Sequence, residues 1–272
     1  MSERSRYWRG LARRDLYWSV LTHDELEGRV PEGAARERFF TSGAEHVDRV
    51  LSTVERLYGV PRGGWRGASA LDFGCGVGRL LVPLAERCGR VVGVDVSEAM
   101  LAEARTVLDE RGHGAVELIA SPALEALGPN GGGPNGGGLN GGGRHVGGRV
   151  AFGTIDLVHS VLVFQHIRPA RGMRWLGRLA AFTRPGGVLI VQVCVRRPSG
   201  FGWAAVRGVM SAARRAKRWL APGMEMHEYD LGAVLWALRD EGFHEVHVLD
   251  GDQPGHAGVT LCALRAGAPD RA

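Results

Sequence analysis

Three glycines and one carboxylate carry the first chemical signal in this sequence of 272 residues. The glycines Gly74, Gly76 and Gly78 lie in LDFGCGVGRL (71–80), where a short apolar run gives way to a helical pattern. Glycine lets the backbone turn tightly and approach a ligand without a Cβ clash. Asp95 ends the next apolar run, about 20 residues further on, where a carboxylate can accept hydrogen bonds from both hydroxyls of a ribose. Together these residues predict a nucleoside site.

The spacing of the glycines narrows the class of ligand. A dinucleotide fingerprint reads GxGxxG, with its third glycine near the pyrophosphate, whereas the corresponding position here is Arg79 and the spacing is GxGxG. The phosphate-loop signature GxxxxGK[ST] does not occur in the sequence. We therefore expect a nucleoside ligand without phosphate. There are two structural alternatives: the glycines only shape a turn, and Asp95 only helps to cap a helix.

Alternating strands and helices would position these residues. Apolar runs of strand length predict five strands at 68–74, 90–96, 115–120, 154–160 and 186–195. Helical patterns predict helices near 80–88, after the N-cap Ser97, near 169–183 and over 230–242. Two further strands, 243–250 and 257–266, are separated only by turn residues and should pair antiparallel. The alternation predicts an α/β fold with a mostly parallel sheet and helices on both faces.

The chain divides into a predicted helical N-terminal cap, residues 1–67, and one α/β domain over residues 68–266. Within the domain, a tandem repeat PNGGG-PNGGG-LNGGG opens a glycine-rich insertion at 129–148. Such a segment can bury almost no apolar surface and loses much backbone entropy on ordering, so it predicts a flexible loop. Residues 267–272 form a predicted C-terminal tail.

A basic segment accounts for the net charge of +5. Residues 196–222 carry seven basic side chains and no acidic one, and outside this segment acidic residues slightly outnumber basic ones. Residues 201–220 have apolar positions at helical spacing, which predicts an amphipathic helix within a basic lid insertion at 196–226. Its arginines could attract a carboxylate or phosphate, lie on an anionic membrane surface, or form a solvated face.

The composition argues against several other classes of protein. Hydrophobic residues make up 44% of the chain, which is typical of a globular protein with a core. No apolar run reaches the length of a membrane span, and the first residues lack the apolar core of a secretory signal. The four cysteines, Cys75, Cys88, Cys194 and Cys262, form no CxxC pair, so we predict neither a disulfide framework nor a metal site. We therefore expect a cytoplasmic location.

Four motifs follow one another in an order that resembles class I S-adenosylmethionine-dependent methyltransferases. They are LDFGCGVGRL, VVGVDVSEAML, IDLVHSVLVFQHI and RPGGVLIVQV. The resemblance covers about residues 65–266. Each motif alone is weak, whereas the ordered set is specific. The resemblance implies a Rossmann-like sheet of seven strands with the last strand antiparallel, and S-adenosyl-L-methionine as the cofactor.

The resemblance also implies a part for each motif residue in holding the cofactor. The methionine part would be lined by Asp72, Phe73, Gly74, Cys75, Gly76, Gly78 and Ser160. Asp72 would help to hold the ammonium group, and Asp95 would bind the ribose hydroxyls. Val96 and Met100 would enclose the adenine ring. Family members often place an aspartate after the third strand to bind the adenine amino group, and this position is Ser121 here, followed by Pro122.

One histidine is the candidate catalytic residue. A hydroxyl or ammonium acceptor must lose a proton on methylation, which favours a nearby general base. His166 follows the fourth predicted strand, and an imidazole titrates in the useful pH range. A histidine that caps the next helix or packs against the lid is the structural alternative. His227 and Glu228 are weaker candidates, and His159, inside a buried strand, is predicted to be a core residue.

Absent motifs favour a small-molecule methyl acceptor. The sequence has no [ND]PP[FYW] run, which is typical of amino methylation of bases and glutamine, and no Pro-Cys pair suited to attack on a pyrimidine. RNA ribose methyltransferases commonly use a Lys-Asp-Lys-Glu set, but Lys217 is the only lysine. We expect methyl transfer to an oxygen or nitrogen of a small molecule. The alternatives are an RNA methyltransferase that uses the 196–222 arginines on phosphates, and a binding module without turnover.

Overall fold

The computed structural model describes residues 10, 15–21, 26–61, 63–125, 154–195, 226–250 and 258–267. In this part of the chain eight strands form one sheet. They are β1 (Ser69–Phe73), β2 (Arg90–Asp95), β3 (Glu117–Ala120), β4 (Ile155–Ser160), β5 (Thr183–Val195), β6 (Glu228–Tyr229), β7 (Phe243–Asp250) and β8 (Gly258–Arg265). The strand order is β3-β2-β1-β4-β5-β8-β7, and β6 pairs with β5.

The predicted mostly parallel sheet is confirmed. Strands β1 to β5 pair in parallel, while β8 runs antiparallel to both β5 and β7. All seven predicted strands are present, and β6 is an additional strand that pairs in parallel with β5. The two residues of β6 are too few to produce an alternating pattern, so no sequence pattern indicates this strand.

Helices connect the strands, as predicted. They are α1 (Gly33–Tyr58), α2 (Gly64–Gly67), α3 (Leu81–Arg87), α4 (Glu98–Glu110), α5 (Ser121–Glu125), α6 (Pro169–Phe182) and α7 (Leu231–Asp240), with a 3-10 helix at Phe164–His166. Ser97 is the N-cap of α4, and its hydroxyl accepts a hydrogen bond from the backbone N–H of Met100 at 3.4 Å. Helix α6 begins with a proline, which is favoured at the first helical position because it has no N–H to leave unpaired.

The sheet is covered on both faces because neighbouring residues of each strand point in opposite directions. Ala70 and Leu157 belong to an apolar cluster with residues of α1, α3 and α4. Leu71 and Val158, the next residues along the same strands, pack instead with residues of α6 and α7. The two clusters give the three-layered arrangement that the alternating pattern predicted.

The described part of the N-terminal cap packs onto the first of these faces. Helix α1 buries Phe39, Phe40 and Val47, among other residues. The Tyr17 ring is fully buried 5.1 Å from the Phe39 ring, and its hydroxyl donates a hydrogen bond to Glu103 of α4 at 2.6 Å. The cap therefore shares the apolar cluster of the sheet.

Three predicted segments lie wholly or almost wholly outside the described residues. They are the glycine-rich insertion 129–148, the basic lid insertion 196–226 except Met226, and the tail 267–272 except Gly267. Among the helices that the structure describes, none has the length and apolar character needed to cross a membrane.

Candidate functional site

The loop after β1 has the backbone shape that only glycine adopts readily. Gly74, Gly76 and Gly78 have φ angles of 81°, 54° and 86°, in the left-handed region. The backbone N–H groups of Gly74 and Cys75 both donate to the carbonyl of Val94, at 2.7 and 3.0 Å. The loop is therefore anchored to β2, the strand that carries Asp95.

The Asp95 carboxylate lies at the carboxyl end of β2 and is fixed by two backbone donors. Its Oδ2 accepts a hydrogen bond from Gly76 N at 3.0 Å, and its Oδ1 accepts one from Ser97 N at 2.8 Å. Burial raises the pKa of Asp95 to about 6, although the N–H groups of Ser97, Gly76 and Val96 oppose this shift. A carboxylate has about four acceptor positions, so the two oxygens can accept further hydrogen bonds from a ligand.

The strand order brings most of the predicted cofactor residues to one edge of the sheet. Because β3, β2, β1 and β4 are adjacent and parallel, Ser121, Asp95, Gly74 and Ser160 all follow or end strands at the same edge. Ser160 is fully buried, and its hydroxyl donates to the carbonyl of Phe73 at 3.0 Å. Ser121 is also buried and begins α5.

Val96 and Met100 flank the start of α4. Met100 is buried with a relative exposure of 4%, whereas Val96 is partly exposed. Both residues follow Asp95 within five positions. They are placed to form an apolar surface next to the carboxylate.

Phe73 and Cys75 can offer only their backbone to a ligand at this edge. The Phe73 ring is buried on the α6 side of the sheet, 4.5 Å from the ring of Trp175. The Cys75 side chain is buried in the cluster on the other face. Burial raises the pKa of the Cys75 thiol, and the nearby Asp95 and Asp72 carboxylates add to the shift. The thiol is therefore protonated and faces the core.

Asp72 and His159 form a buried pair that the sequence analysis did not foresee. They are register partners on β1 and β4, and His159 Nδ1 lies 2.9 Å from Asp72 Oδ1. The other ring nitrogen, Nε2, lies 3.1 Å from Nε2 of His46 on α1. His159 is buried, as predicted for a core residue, at 2% exposure. Both residues lie within predicted strands, and no local sequence pattern connects them.

The candidate bases lie close to the 3-10 helix after β4. His166 is partly exposed, and its Nε2 lies 3.3 Å from Nε2 of Gln165. The backbone N–H of His227 donates to the carbonyl of Gln165 at 2.7 Å. The structure therefore brings His166 and His227 to the same short segment, whereas Glu228 is exposed on β6.

The loop between β4 and the 3-10 helix is held in an uncommon conformation. Leu162 is the one non-glycine residue with a positive φ, 66°, among the described residues. Its backbone N–H donates to Oε1 of Gln192 at 3.1 Å. Gln192 interrupts the apolar run of β5, so this polar residue in a buried strand shapes the loop next to the candidate site.

Two valines contact the glycine loop. A Cβ on Gly74 would lie 2.2 Å from Val163 Cγ2, and a Cβ on Gly76 would lie 2.8 Å from Val20 Cγ2. Val163 belongs to the loop after β4, and Val20 to the N-terminal cap. Both glycines are therefore required by close packing as well as by their φ angles.

An open, mostly parallel sheet with a glycine loop after its first strand, a carboxylate after its second and an antiparallel last strand defines the class I methyltransferase fold. Residues 71–189 match the family model described as a methyltransferase domain. This match supports the resemblance to class I, S-adenosylmethionine-dependent methyltransferases that the sequence motifs indicate.

Named relatives share part of the sequence. A ubiquinone biosynthesis O-methyltransferase of Bradyrhizobium sp. (strain ORS 278) is 29% identical over 163 residues, which are 60% of this chain and 51% of that protein. The nocamycin O-methyltransferase of Saccharothrix syringae is 29% identical over 201 residues, and the match covers 68% of this chain and 62% of that protein. The chain spans about half the length of the ubiquinone biosynthesis relatives that it matches.

Solved structures share the fold. Magnesium protoporphyrin IX methyltransferase from Synechocystis PCC 6803 with bound S-adenosylhomocysteine (SAH) has a TM-score of 0.60 at 19% identity, over 96% of this chain and 99% of that chain. Phosphoethanolamine N-methyltransferase 2 of Haemonchus contortus, in complex with S-adenosyl-L-methionine, has a TM-score of 0.51 at 15% identity. That likeness covers 80% of this chain and 52% of that chain. These likenesses confirm the Rossmann-like fold.

Proposed function

We propose that this protein transfers a methyl group from S-adenosylmethionine to an oxygen of a small molecule. The observation that carries the proposal is the hydrogen bond between Gly76 N and Asp95 Oδ2, which joins the glycine loop to a carboxylate at the next strand end. The arrangement suits a nucleoside without phosphate, because the carboxylate can accept the ribose hydroxyls and Arg79 stands where a pyrophosphate-binding loop has its third glycine.

The residues at the sheet edge fit the chemical groups of S-adenosylmethionine. Asp95 would accept the ribose hydroxyls, and Asp72 would hold the ammonium group of the methionine part. Val96 and Met100 would contact the adenine ring, with Ser121 near its amino group. The methionine part would also contact the backbone of residues 73–78 and Ser160.

The residues of the chain would contribute alignment and one proton transfer. The bound cofactor supplies a methyl group on a positively charged sulfonium, which loses its charge as the methyl leaves. Holding the acceptor oxygen in line with that methyl group lowers the barrier by several kcal/mol. We propose that His166 accepts the proton of the acceptor hydroxyl, because it is partly exposed next to the loop after β4.

The names of the relatives favour oxygen over nitrogen as the acceptor atom. Two different O-methyltransferases align at 29% identity, whereas the N-methyltransferase supports the fold alone. We also propose a cytoplasmic location. The four cysteines are free and buried, which is typical of a protein in a reducing compartment.

Calorimetry with S-adenosylmethionine and SAH tests the cofactor. We expect both ligands to bind with a stoichiometry of one, and a protein that binds neither would contradict the proposal. Binding of both ligands without turnover on any acceptor class would instead support a module that only binds.

An acceptor screen with methyl-labelled S-adenosylmethionine tests the rest of the proposal. The panel contains phenols, aliphatic alcohols, amines and total RNA. Label in the hydroxyl compounds supports O-methylation, whereas label only in amines or only in RNA overturns it. With a hydroxyl acceptor, His166→Ala should lower kcat at least tenfold, as expected from loss of a general base. The control His244→Ala changes an exposed histidine on β7 and should leave kcat unchanged.

A further inference from the structure

We infer that His159 is a positioning residue that orients the Asp72 carboxylate toward the ammonium group of the cofactor, and that His46 on α1 in turn orients His159. The inference rests on the proposed function and assigns a task to the buried His159 and the partly buried His46, which methyl transfer does not itself require. It also gives helix α1 of the N-terminal cap a direct connection to the cofactor site.

The three side chains form a continuous chain of hydrogen bonds across two layers of the fold. His159 Nδ1 lies 2.9 Å from Asp72 Oδ1, and the side chains of both residues are 3% exposed. His159 Nε2 lies 3.1 Å from His46 Nε2, and the two rings meet edge to face with centroids 5.2 Å apart. These hydrogen bonds therefore run from α1 through β4 to Asp72 on β1, two residues before the glycine loop begins at Gly74.

The hydrogen-bonding chemistry gives the chain a direction. A carboxylate oxygen accepts hydrogen bonds, so a proton on His159 Nδ1 is donated to Asp72 Oδ1. Burial lowers the pKa of His46 to about 3, with the nearby His159 and the Arg79 and Arg49 guanidinium groups adding to the shift, so His46 is neutral near pH 7. One proton then lies between the two Nε2 atoms, and the His159 ring is held at both of its nitrogens.

A buried guanidinium completes the surroundings of Asp72. Arg79 is 6% exposed, and burial lowers its pKa to about 10 against the opposing effect of Asp72. One of its terminal nitrogens donates to the hydroxyl of Ser42 at 3.3 Å, while its Nε has no hydrogen-bond partner in the part of the chain that the structure describes. Buried polar groups are costly unless they are hydrogen-bonded, so a purely structural role would favour apolar side chains in place of Asp72, His159 and Arg79.

Fixing one oxygen of Asp72 determines where the other oxygen points. A carboxylate that is free to rotate would lose side-chain freedom when it binds a cation, whereas a carboxylate already held by His159 would lose little. The contribution of His159 should therefore appear only with ligands that carry the ammonium group. A role in folding alone would affect every ligand of the site equally.

Two ligands that differ in the amino-acid part separate these roles. SAH carries the ammonium and carboxylate groups, whereas 5′-methylthioadenosine has the same nucleoside and lacks both. Calorimetry with His159→Leu should show a loss of affinity for SAH of about tenfold or more, the size expected for a charge-assisted hydrogen bond. The affinity for 5′-methylthioadenosine should change less than threefold.

A conservative variant and a second position refine the test. The side-chain amide of His159→Asn can donate from about the position of Nδ1, so this variant should keep the wild-type ratio of the two affinities within about threefold. His46→Leu, one hydrogen bond further from Asp72, should lower only the SAH affinity and by a smaller factor. If His159→Leu does not fold, His46→Leu provides the test, through the ratio of its affinities for SAH and 5′-methylthioadenosine. His244→Leu on β7 is the matched control, and neither affinity should change.

Equal losses for both ligands in the His159 and His46 variants would overturn the inference, and so would unchanged SAH affinity in variants that fold. A wild-type protein that binds neither ligand would instead overturn the proposed function itself. The two failures are therefore distinguishable in a single series of titrations.

Discussion

Gly76 and Asp95 are joined by a hydrogen bond from the backbone N–H of Gly76 to Oδ2 of Asp95, 3.0 Å long. This bond connects the loop after β1 to the carboxyl end of β2. Because Ser97 N donates to the other oxygen, Oδ1, at 2.8 Å, both carboxylate oxygens are fixed before a ligand binds. A preorganised acceptor loses little freedom on binding, which increases affinity.

Removing the Asp95 carboxylate should weaken cofactor binding with little effect elsewhere. We expect Asp95→Ala to lose about 10- to 100-fold in SAH affinity, since hydrogen bonds to a charged group contribute about 1.5–3 kcal/mol each. Calorimetry at pH 7.5 measures the change. Asp109→Ala on α4 removes an exposed carboxylate and is the control. Equal affinities of Asp95→Ala and the wild type would refute the ribose assignment.

The affinity for SAH should depend on pH through Asp95, whose pKa is raised to about 6 by burial. Only the ionised carboxylate accepts hydrogen bonds at all its positions, so affinity is full above about pH 7 and falls as the pH drops through 6. At pH 5 we expect about a tenfold loss, matching the ionised fraction. Titrations from pH 5 to pH 8 measure this, and Asp95→Asn should flatten the curve. A wild-type affinity that rises toward pH 5 would contradict the assignment.

Close packing at Gly74 should make its substitution more damaging than that of another glycine with a similar φ. Gly112 has a φ of 77° and nothing within 4 Å of an added Cβ, so its substitution measures the cost of the positive φ angle without any clash. We expect Gly112→Ala to lower the free energy of unfolding by about 1–2 kcal/mol. Gly74→Ala, with φ 81° and Val163 Cγ2 at 2.2 Å, should lower it by about 1–3 kcal/mol more. Urea unfolding compares the two, and equal losses would show that the loop can relax.

Asp156 should stabilise the fold without contributing to ligand binding. At the amino end of β4, its Oδ2 accepts hydrogen bonds from Ser69 N and Oγ at 2.8 and 2.7 Å, and its Oδ1 accepts one from Arg184. Although burial acts to raise the pKa of Asp156, the bonds from Ser69 and Arg184 lower it overall. Its contribution is therefore present above the unfolded pKa of about 4 and is lost as the pH falls below that value.

We expect Asp156→Ala to lower the free energy of unfolding by about 2 kcal/mol at pH 7. Urea unfolding at pH 7 and at pH 3.5 should show the difference from the wild type shrinking at the lower pH. The SAH affinity should not change, because Asp156 lies at the edge of the sheet opposite the candidate site. A large loss of affinity in the folded variant would place Asp156 in the binding machinery.

Local patterns were sufficient to predict the sheet. Each predicted strand is an apolar run, and Ser97 precedes α4 as a capping residue should. The short strand β6 was missed because Glu228 and Tyr229 carry no periodic signal. Strand β5 begins at Thr183 rather than near residue 186, because residues of an extended Pro-Gly-Gly segment join the strand.

The candidate site was only partly predictable, because side-chain direction and long-range contacts depend on the assembled fold. The motif identified Phe73 and Cys75, but the alternation along β1 and the packing of the loop turn their side chains into the core. The contact between His46 and His159 joins residues 113 positions apart. No local pattern connects them, and only the packing of α1 on β4 brings the two rings together.

A crystal structure of the protein with SAH would show whether Asp95 holds the ribose of the cofactor. We expect both ribose hydroxyls to lie within hydrogen-bonding distance of the Asp95 carboxylate, the ammonium group to contact Asp72, and the homocysteine chain to follow the backbone of Gly74 and Gly76. A ligand bound elsewhere, or one whose ribose faces away from Asp95, would contradict it.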